Sequence, residues 1–144
     1  MASNLFSLEG KVAVVTGASR GFGRAIALGL ADAGADIVLA ARTESSLQEV
    51  AAEIETKGRR ALAVPADMGS KESVSNLATK TIEAFGKVDI LVNNAGLGSN
   101  VPFLKMTEDE WDRILDVNLK GYFLTTQALG QHMFKARSGR VINI

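Results

Sequence analysis

Eight residues near the start of the chain, Thr16-Gly17-Ala18-Ser19-Arg20-Gly21-Phe22-Gly23, hold three glycines in a short space. A backbone without Cβ atoms can turn sharply there and let a bulky anion approach closely. The segment follows an apolar, β-branched run, Val12-Ala13-Val14-Val15, and precedes a helix-like pattern. A helix starting at the loop offers unpaired N–H groups and the positive end of its dipole. Together these features suit the binding of a pyrophosphate, and strand, glycine loop and helix supply the context that a dinucleotide fingerprint requires.

A second position decides which dinucleotide. About twenty residues after the glycines, NAD sites place an acidic residue on the ribose hydroxyls. Here Ala41 stands at that point, followed by Arg42, while Asp36 lies at the other end of the strand and Glu44 comes after the arginine. A carboxylate repels a 2′-phosphate, whereas a guanidinium grips it with paired hydrogen bonds. Arg20 in the glycine loop can reach the same group. The expected cofactor is NADP(H).

The elements that position these residues alternate. Strands are expected at residues 12–16, 37–41, 61–64 and 88–92, each short, continuous and rich in branched residues, as in a parallel sheet covered on both faces. Helices are expected at 21–33 with Gly34 as its stop, and around Leu47, Val50, Ala51 and Ile54 with Gly58 as its stop. A third carries Val74, Leu77, Ala78, Thr81, Ile82 and Phe85 on one stripe, with Ser70 as N-cap and Gly86 as C-terminal stop. Thr107 and Glu110 have the spacing of a capping box for a long helix that runs to about Ala136, with a turn-like interruption over 118–121. Val141-Ile142-Asn143-Ile144 begins a fifth strand. The implied fold is α/β, a Rossmann-type doubly wound parallel sheet of order 3-2-1-4-5, truncated within the fifth strand and forming one domain over residues 1–144.

Composition narrows the function. The 144 residues carry 16 Lys plus Arg against 16 Asp plus Glu, a formal charge of zero, which argues against nucleic acid or an anionic membrane as partner. There is no cysteine and a single histidine, His132, so disulfides, thiolate metal sites, cysteine nucleophiles and paired imidazoles are excluded within these residues, and no metal is expected. The start, Met1-Ala2-Ser3-Asn4-Leu5-Phe6, has neither a cationic region nor a long apolar run, and no stretch reaches membrane-span length, so a cytoplasmic protein is expected.

On these residues the chain resembles the short-chain dehydrogenase/reductase family, N-terminal part, closest in look to its 3-oxoacyl-carrier-protein reductase and sugar-acid dehydrogenase branch. The loop at 16–23 is similar to that family's Thr-Gly-x-x-x-Gly-x-Gly motif. Asn93-Asn94-Ala95-Gly96 resembles its Asn-Asn-Ala-Gly motif, and Asp116-Val117-Asn118 the neighbourhood of its active-site Asn. Phe22 departs mildly, standing where an aliphatic residue is commoner.

The resemblance implies roles. Thr16 would brace the glycine loop against the Asn-Asn-Ala-Gly turn, and Gly17, Gly21 and Gly23, with Phe22 among them, would shape the pyrophosphate site. Ser19, Arg20, Arg42 and Thr43 would surround the adenosine ribose and its phosphate. Asp67, flanked by Ala66 and Met68, would accept from the adenine amino group. Asn94, Ala95 and Gly96 would line the cofactor, and Asn118 would act in catalysis through a water held on its backbone carbonyl at a break in the helix. The family's activity is hydride transfer between nicotinamide and a carbonyl or secondary alcohol of a small molecule. Its members pair through helices at this place, which implies a homo-oligomer, a dimer or tetramer, here through Leu115, Leu119, Tyr122, Phe123 and Leu129. Its Ser and Tyr-x-x-x-Lys follow the fifth strand and are expected beyond Ile144, so residues 1–144 alone are expected to be inactive. Tyr122 does not substitute, since Thr126 rather than lysine stands four residues on, and it reads as packing. The alternative is a non-catalytic nucleotide-binding or self-associating half-domain.

Overall fold

The computed structural model describes residues 5–144, so Met1–Asn4 of the start read above lie outside the described residues. The elements run β1 (Val12–Thr16), α1 (Gly21–Asp32), β2 (Asp36–Ala41), α2 (Glu44–Thr56), β3 (Ala61–Pro65), α3 (Lys71–Phe85), β4 (Ile90–Asn93), α4 (Glu108–Leu115), α5 (Gly121–Ala136) and β5 (Arg140–Asn143). The five strands form one sheet of order β3-β2-β1-β4-β5, parallel at every pairing, which is the expected Rossmann-type α/β architecture.

Strand residues alternate between two apolar layers, which is why the strands look continuously hydrophobic in sequence. Val14, Val38, Val64 and Leu91 point to the layer filled by Val74 and Leu77 of α3 and Leu129 of α5. Ala13, Val15, Ile37, Leu39 and Val92 point to the opposite layer, filled by α1 and α2. Small residues at Gly23, Ala27 and Ala31 form the buried stripe of α1, so that helix lies close against the sheet. Leu47, Val50, Ala51 and Ile54 are the buried face of α2, at the expected spacing.

Helix ends follow local signals. The Ser70 hydroxyl accepts from the Ser73 N–H at 3.3 Å, and Gly86 ends α3 with φ +72°. The Thr107 hydroxyl accepts from the Glu110 N–H at 3.2 Å. Glu110 does not close the other half of the box: its carboxylate turns to the Ser99 hydroxyl and to Arg113, and these partners hold it below the ordinary glutamate value. The interruption in the long helix is a π-helical turn, Asp116–Lys120. It brings Gly121 against Met68, where an added Cβ would come within 2.8 Å of the Met68 carbonyl oxygen.

Several boundaries differ from expectation by a residue or two. Pro65 is the last residue of β3 instead of lying beyond it, which an edge strand tolerates because a nitrogen on its open side has no ladder bond to donate, so the missing N–H costs nothing there. β4 begins at Ile90 because Asp89, just before it, offers its carboxylate to the Val12 N–H at 2.8 Å. β5 begins one residue early, at Arg140, and ends at Asn143. Leu129 is also corrected: it is fully buried in the core and contributes nothing to the exposed apolar face, which consists of Leu115, Leu119 and Phe123 with half-buried Tyr122 beside them.

Candidate functional site

β1 sends its chain through α1 to β2 on one side, while β4 lies on its other side, so the crossovers diverge between β1 and β4. Such a switch point leaves a crevice at the carboxyl ends of the strands. A cleft of about 480 Å³ opens there. Four strand ends and the segments after them line it: Gly17, Ser19, Arg20 and Gly21 after β1; Ala41 at the end of β2, then Arg42, Thr43 and Ser46 of α2; Ala66, Asp67 and Met68 after β3; and Asn94 to Leu97 after β4, with Val117 of the π turn.

The β1 and β4 loops are fastened together at Thr16, which is 1% exposed. Its hydroxyl accepts from the Asn94 and Ala95 N–H groups, each at 3.0 Å, and donates to the Val92 carbonyl at 3.4 Å. In return the Asn94 side-chain amide donates to the Thr16 carbonyl at 3.0 Å and the Gly17 carbonyl at 3.4 Å. This junction dictates two of the three glycines. A Cβ on Gly17 (φ +65°) would lie 2.9 Å from the Ala95 Cα, and one on Gly23 would meet the Gly17 carbonyl and come within 2.5 Å of the Asn94 amide nitrogen. Gly21 has a different reason: its φ is +56°, and an added Cβ would stand in open space.

Helix α1 begins at Gly21 with no side chain capping its first turn, so its leading N–H groups are open beside the cleft. A dinucleotide fits this donor set: a glycine cradle, an uncapped helix start, and two guanidinium groups. Arg20 and Arg42 both line the cleft, and neither is in an ion pair among the described residues. Ala41 occupies the end of β2, where no carboxylate lines the cleft.

Asp67 is the one acidic residue lining the cleft among the described residues. Its Oδ1 accepts from the Gly69 N–H at 2.9 Å, and its carbonyl accepts from the Ser70 N–H at 3.1 Å, so it also shapes the turn into α3. Asn118 lies outside the lining. Its side chain clasps the Leu97 backbone, Oδ1 accepting from the N–H at 2.9 Å and Nδ2 donating to the carbonyl at 2.8 Å. Thr16, Phe22 and Gly23 are likewise absent from the lining; Phe22 is 80% exposed on the first turn of α1. Ala41, Ser46, Leu97 and Val117 also line the cleft; Ala41, Leu97 and Val117 adjoin Arg42, Gly96 and Asn118 in stretches the sequence already marks, whereas nothing in the sequence separates Ser46 from Ser45.

The Tyr122 hydroxyl donates to the Ile144 carbonyl at 3.0 Å, and burial raises its pKa above the ordinary tyrosine value. A general base needs the opposite shift. Among the described residues no helix is long and apolar enough to cross a membrane.

The family model for short chain dehydrogenase matches residues 11–144. The chain belongs to that family. It is 42% identical, over 96% of its length, to a 3-oxoacyl-[acyl-carrier-protein] reductase of Synechocystis sp., covering 56% of that protein. Two solved relatives superpose closely. A metagenomic short-chain oxidoreductase in complex with NADP gives a TM-score of 0.90 at 42% identity, with 94% of this chain and 62% of that chain covered. A 7α-hydroxysteroid dehydrogenase complexed with NADH and 7-oxo glycochenodeoxycholic acid gives 0.92 at 37% identity, with 96% and 54% covered. This short-chain dehydrogenase chain therefore spans about half the length of the curated relatives it matches.

Proposed function

We propose that residues 1–144 form the NADP(H)-binding Rossmann domain of a cytoplasmic oxidoreductase of the short-chain family, acting on a small-molecule carbonyl or secondary alcohol as a dimer or tetramer. One observation carries the cofactor assignment: Arg42 and Arg20 face the cleft without ion-pair partners, and Ala41 stands where an NAD site needs a carboxylate. The relatives divide on this point, one holding NADP and another NADH, so the arginines are the evidence specific to this chain.

In this reading the nicotinamide supplies hydride-transfer chemistry when bound. Gly17, Gly21 and Gly23 shape the loop that receives the pyrophosphate, Gly23 from behind the lining, and the open N–H groups of α1 donate to it. Ser19, Arg20, Arg42 and Thr43 hold the ribose and its phosphate. Asp67, between Ala66 and Met68, accepts from the adenine amino group, and Asn94, Ala95 and Gly96 line the remainder. Thr16 and Asn118 act behind that surface, on the backbones of Asn94, Ala95 and Leu97. Asn118 also presents its carbonyl from the π turn, where a catalytic water can be held. Residues 1–144 bring no Tyr-x-x-x-Lys, and Tyr122 is committed to the Ile144 carbonyl, so this chain binds nucleotide without turning over substrate.

The test is calorimetric titration of NADPH and NADH into the 144-residue chain. NADPH binds more tightly, and Arg42→Ala removes that preference while NADH affinity is unchanged. Equal affinity for both nucleotides, or a preference untouched by Arg42→Ala, overturns the cofactor assignment. Reductase turnover by the 144-residue chain overturns its assignment as a nucleotide-binding part alone.

A further inference from the structure

Two neighbouring serines follow Glu44 in the first turn of helix α2, and the fold treats them differently. Ser45 is exposed and lies outside the cleft, whereas Ser46 is half-buried and lines it beside Arg42 and Thr43. Helical geometry explains the split, because Ser46 lies three residues after Thr43 and so shares its face. The next residue, Leu47, is fully buried and fixes the rotation of the helix. The Ser46 hydroxyl has no hydrogen-bond partner among the described residues, and Thr43 does not cap the helix. Arg42 and two residues with free hydroxyls, Thr43 and Ser46, thus line the same stretch of the cleft, and the intervening Glu44, exposed at the start of α2, is not part of that lining.

We propose that Ser46 is a specificity-determining residue that donates a hydrogen bond to the 2′-phosphate of the bound nucleotide. The proposal rests on the NADP(H) reading above and extends it to a residue that no motif marks. A phosphate extends further from the ribose than the hydroxyl it replaces and presents three acceptor oxygens. Arg42 and Arg20 supply charge, and a compact neutral donor on the α2 wall completes the shell without needing a counter-ion.

Calorimetry of the 144-residue chain with two probes, adenosine 2′,5′-bisphosphate and adenosine 5′-monophosphate, tests this independently of catalysis. Ser46→Ala weakens the bisphosphate about tenfold, the scale of one hydrogen bond to a charged group, and leaves the monophosphate unchanged. Ser46→Asp weakens the bisphosphate further through repulsion, again sparing the monophosphate. Ser45→Ala changes neither, and matching circular dichroism spectra and Tm values show that all three variants are folded. An unchanged bisphosphate affinity in Ser46→Ala, or an equal loss for both probes, overturns the role while leaving the arginine reading intact. A wild-type chain that does not prefer the bisphosphate overturns the underlying reading and this inference with it.

Discussion

Replacing Thr16 with valine removes one oxygen and almost nothing else. The side chain keeps its shape and its preference for a strand, so the change isolates the hydrogen bonds at the β1–β4 junction. Two main-chain donors, the N–H groups of Asn94 and Ala95, lose their acceptor at 3.0 Å. Ala95 is buried and Asn94 half-buried, so neither finds a full replacement in water. An unsatisfied buried donor costs about 1–3 kcal/mol. With Asn94 at the lower end of that range, the pair costs about 2–4 kcal/mol. That is a large share of the ~5–15 kcal/mol that holds a domain of this size together. The expected result in urea unfolding, followed by far-UV circular dichroism, is a lower midpoint at unchanged slope, with Tm reduced by about 5–15 °C. Thr16→Ser keeps the acceptor and loses one methyl, so it costs only about 1 kcal/mol. Hydrogen exchange at the Ala95 amide accelerates in the valine variant beyond its global destabilisation. A valine variant within about 0.5 kcal/mol of wild type, or a serine variant equally damaged, refutes the assignment of the junction to this hydroxyl.

Two glycine-to-alanine changes in α1 should have opposite signs. Gly23→Ala drives a Cβ into the Gly17 carbonyl and costs about 1–3 kcal/mol, whereas Gly29→Ala meets nothing within 4 Å and gains up to about 1 kcal/mol of helix propensity, both readable from Tm. For Asp89, burial raises the pKa, but hydrogen bonds from Lys87 and the Val12 N–H and the charges of Lys87 and Lys11 outweigh it and hold the group below the ordinary value of 3.8. Its contribution is therefore complete above that value and fades as pH falls through the lower folded one; urea midpoints of wild type should drop more steeply in acid than those of Asp89→Asn, and parallel curves would contradict this. Phe123→Asp places a charge on the exposed stripe with Leu115 and Leu119 and should weaken self-association in sedimentation experiments. An unchanged association constant would remove that surface from the oligomer.

Local physics makes most of the fold legible in the sequence. A strand covered on both faces must be apolar throughout, and Val12 to Val15 showed it; a helix with one buried stripe must repeat at three and four, and Leu47, Val50, Ala51 and Ile54 did. Caps are equally local, so Ser70 and Gly86 marked the ends of α3. What escaped depends on which surfaces meet. Nothing in the sequence separates Ser46 from Ser45, or says that the side chain beside Asn118 at Val117 will face the same cleft as the β1 and β2 loops. Glu110 has the spacing of a capping box, yet Ser99 arrives from the preceding loop and takes its carboxylate. Leu129 looked like its exposed neighbours until the π turn set the rotation of α5 and placed it in the core.

The cleft has two kinds of wall, and the difference bears on how it would bind. On the β4 side the backbone from Asn94 to Leu97 is fixed at both ends, by the Thr16 hydroxyl on one and by the paired bonds of Asn118 on the other. That surface is organised before any ligand arrives, so a nucleotide meets it without an ordering cost. On the opposite side Arg20, Arg42, Thr43 and Ser46 have no intramolecular hydrogen bond or ion pair made by their side chains among the described residues. Long arginine side chains surrender rotamer freedom on binding, a cost of about 0.5–1.5 kcal/mol each. Only a ligand group that rewards all of them at once offsets that cost, and a dianionic phosphate does so where a ribose hydroxyl does not. On the NADP(H) reading proposed above, rigidity and selectivity would be divided between the walls: the β4 side would set where a dinucleotide lies, and Arg20, Arg42, Thr43 and Ser46 would decide which one stays.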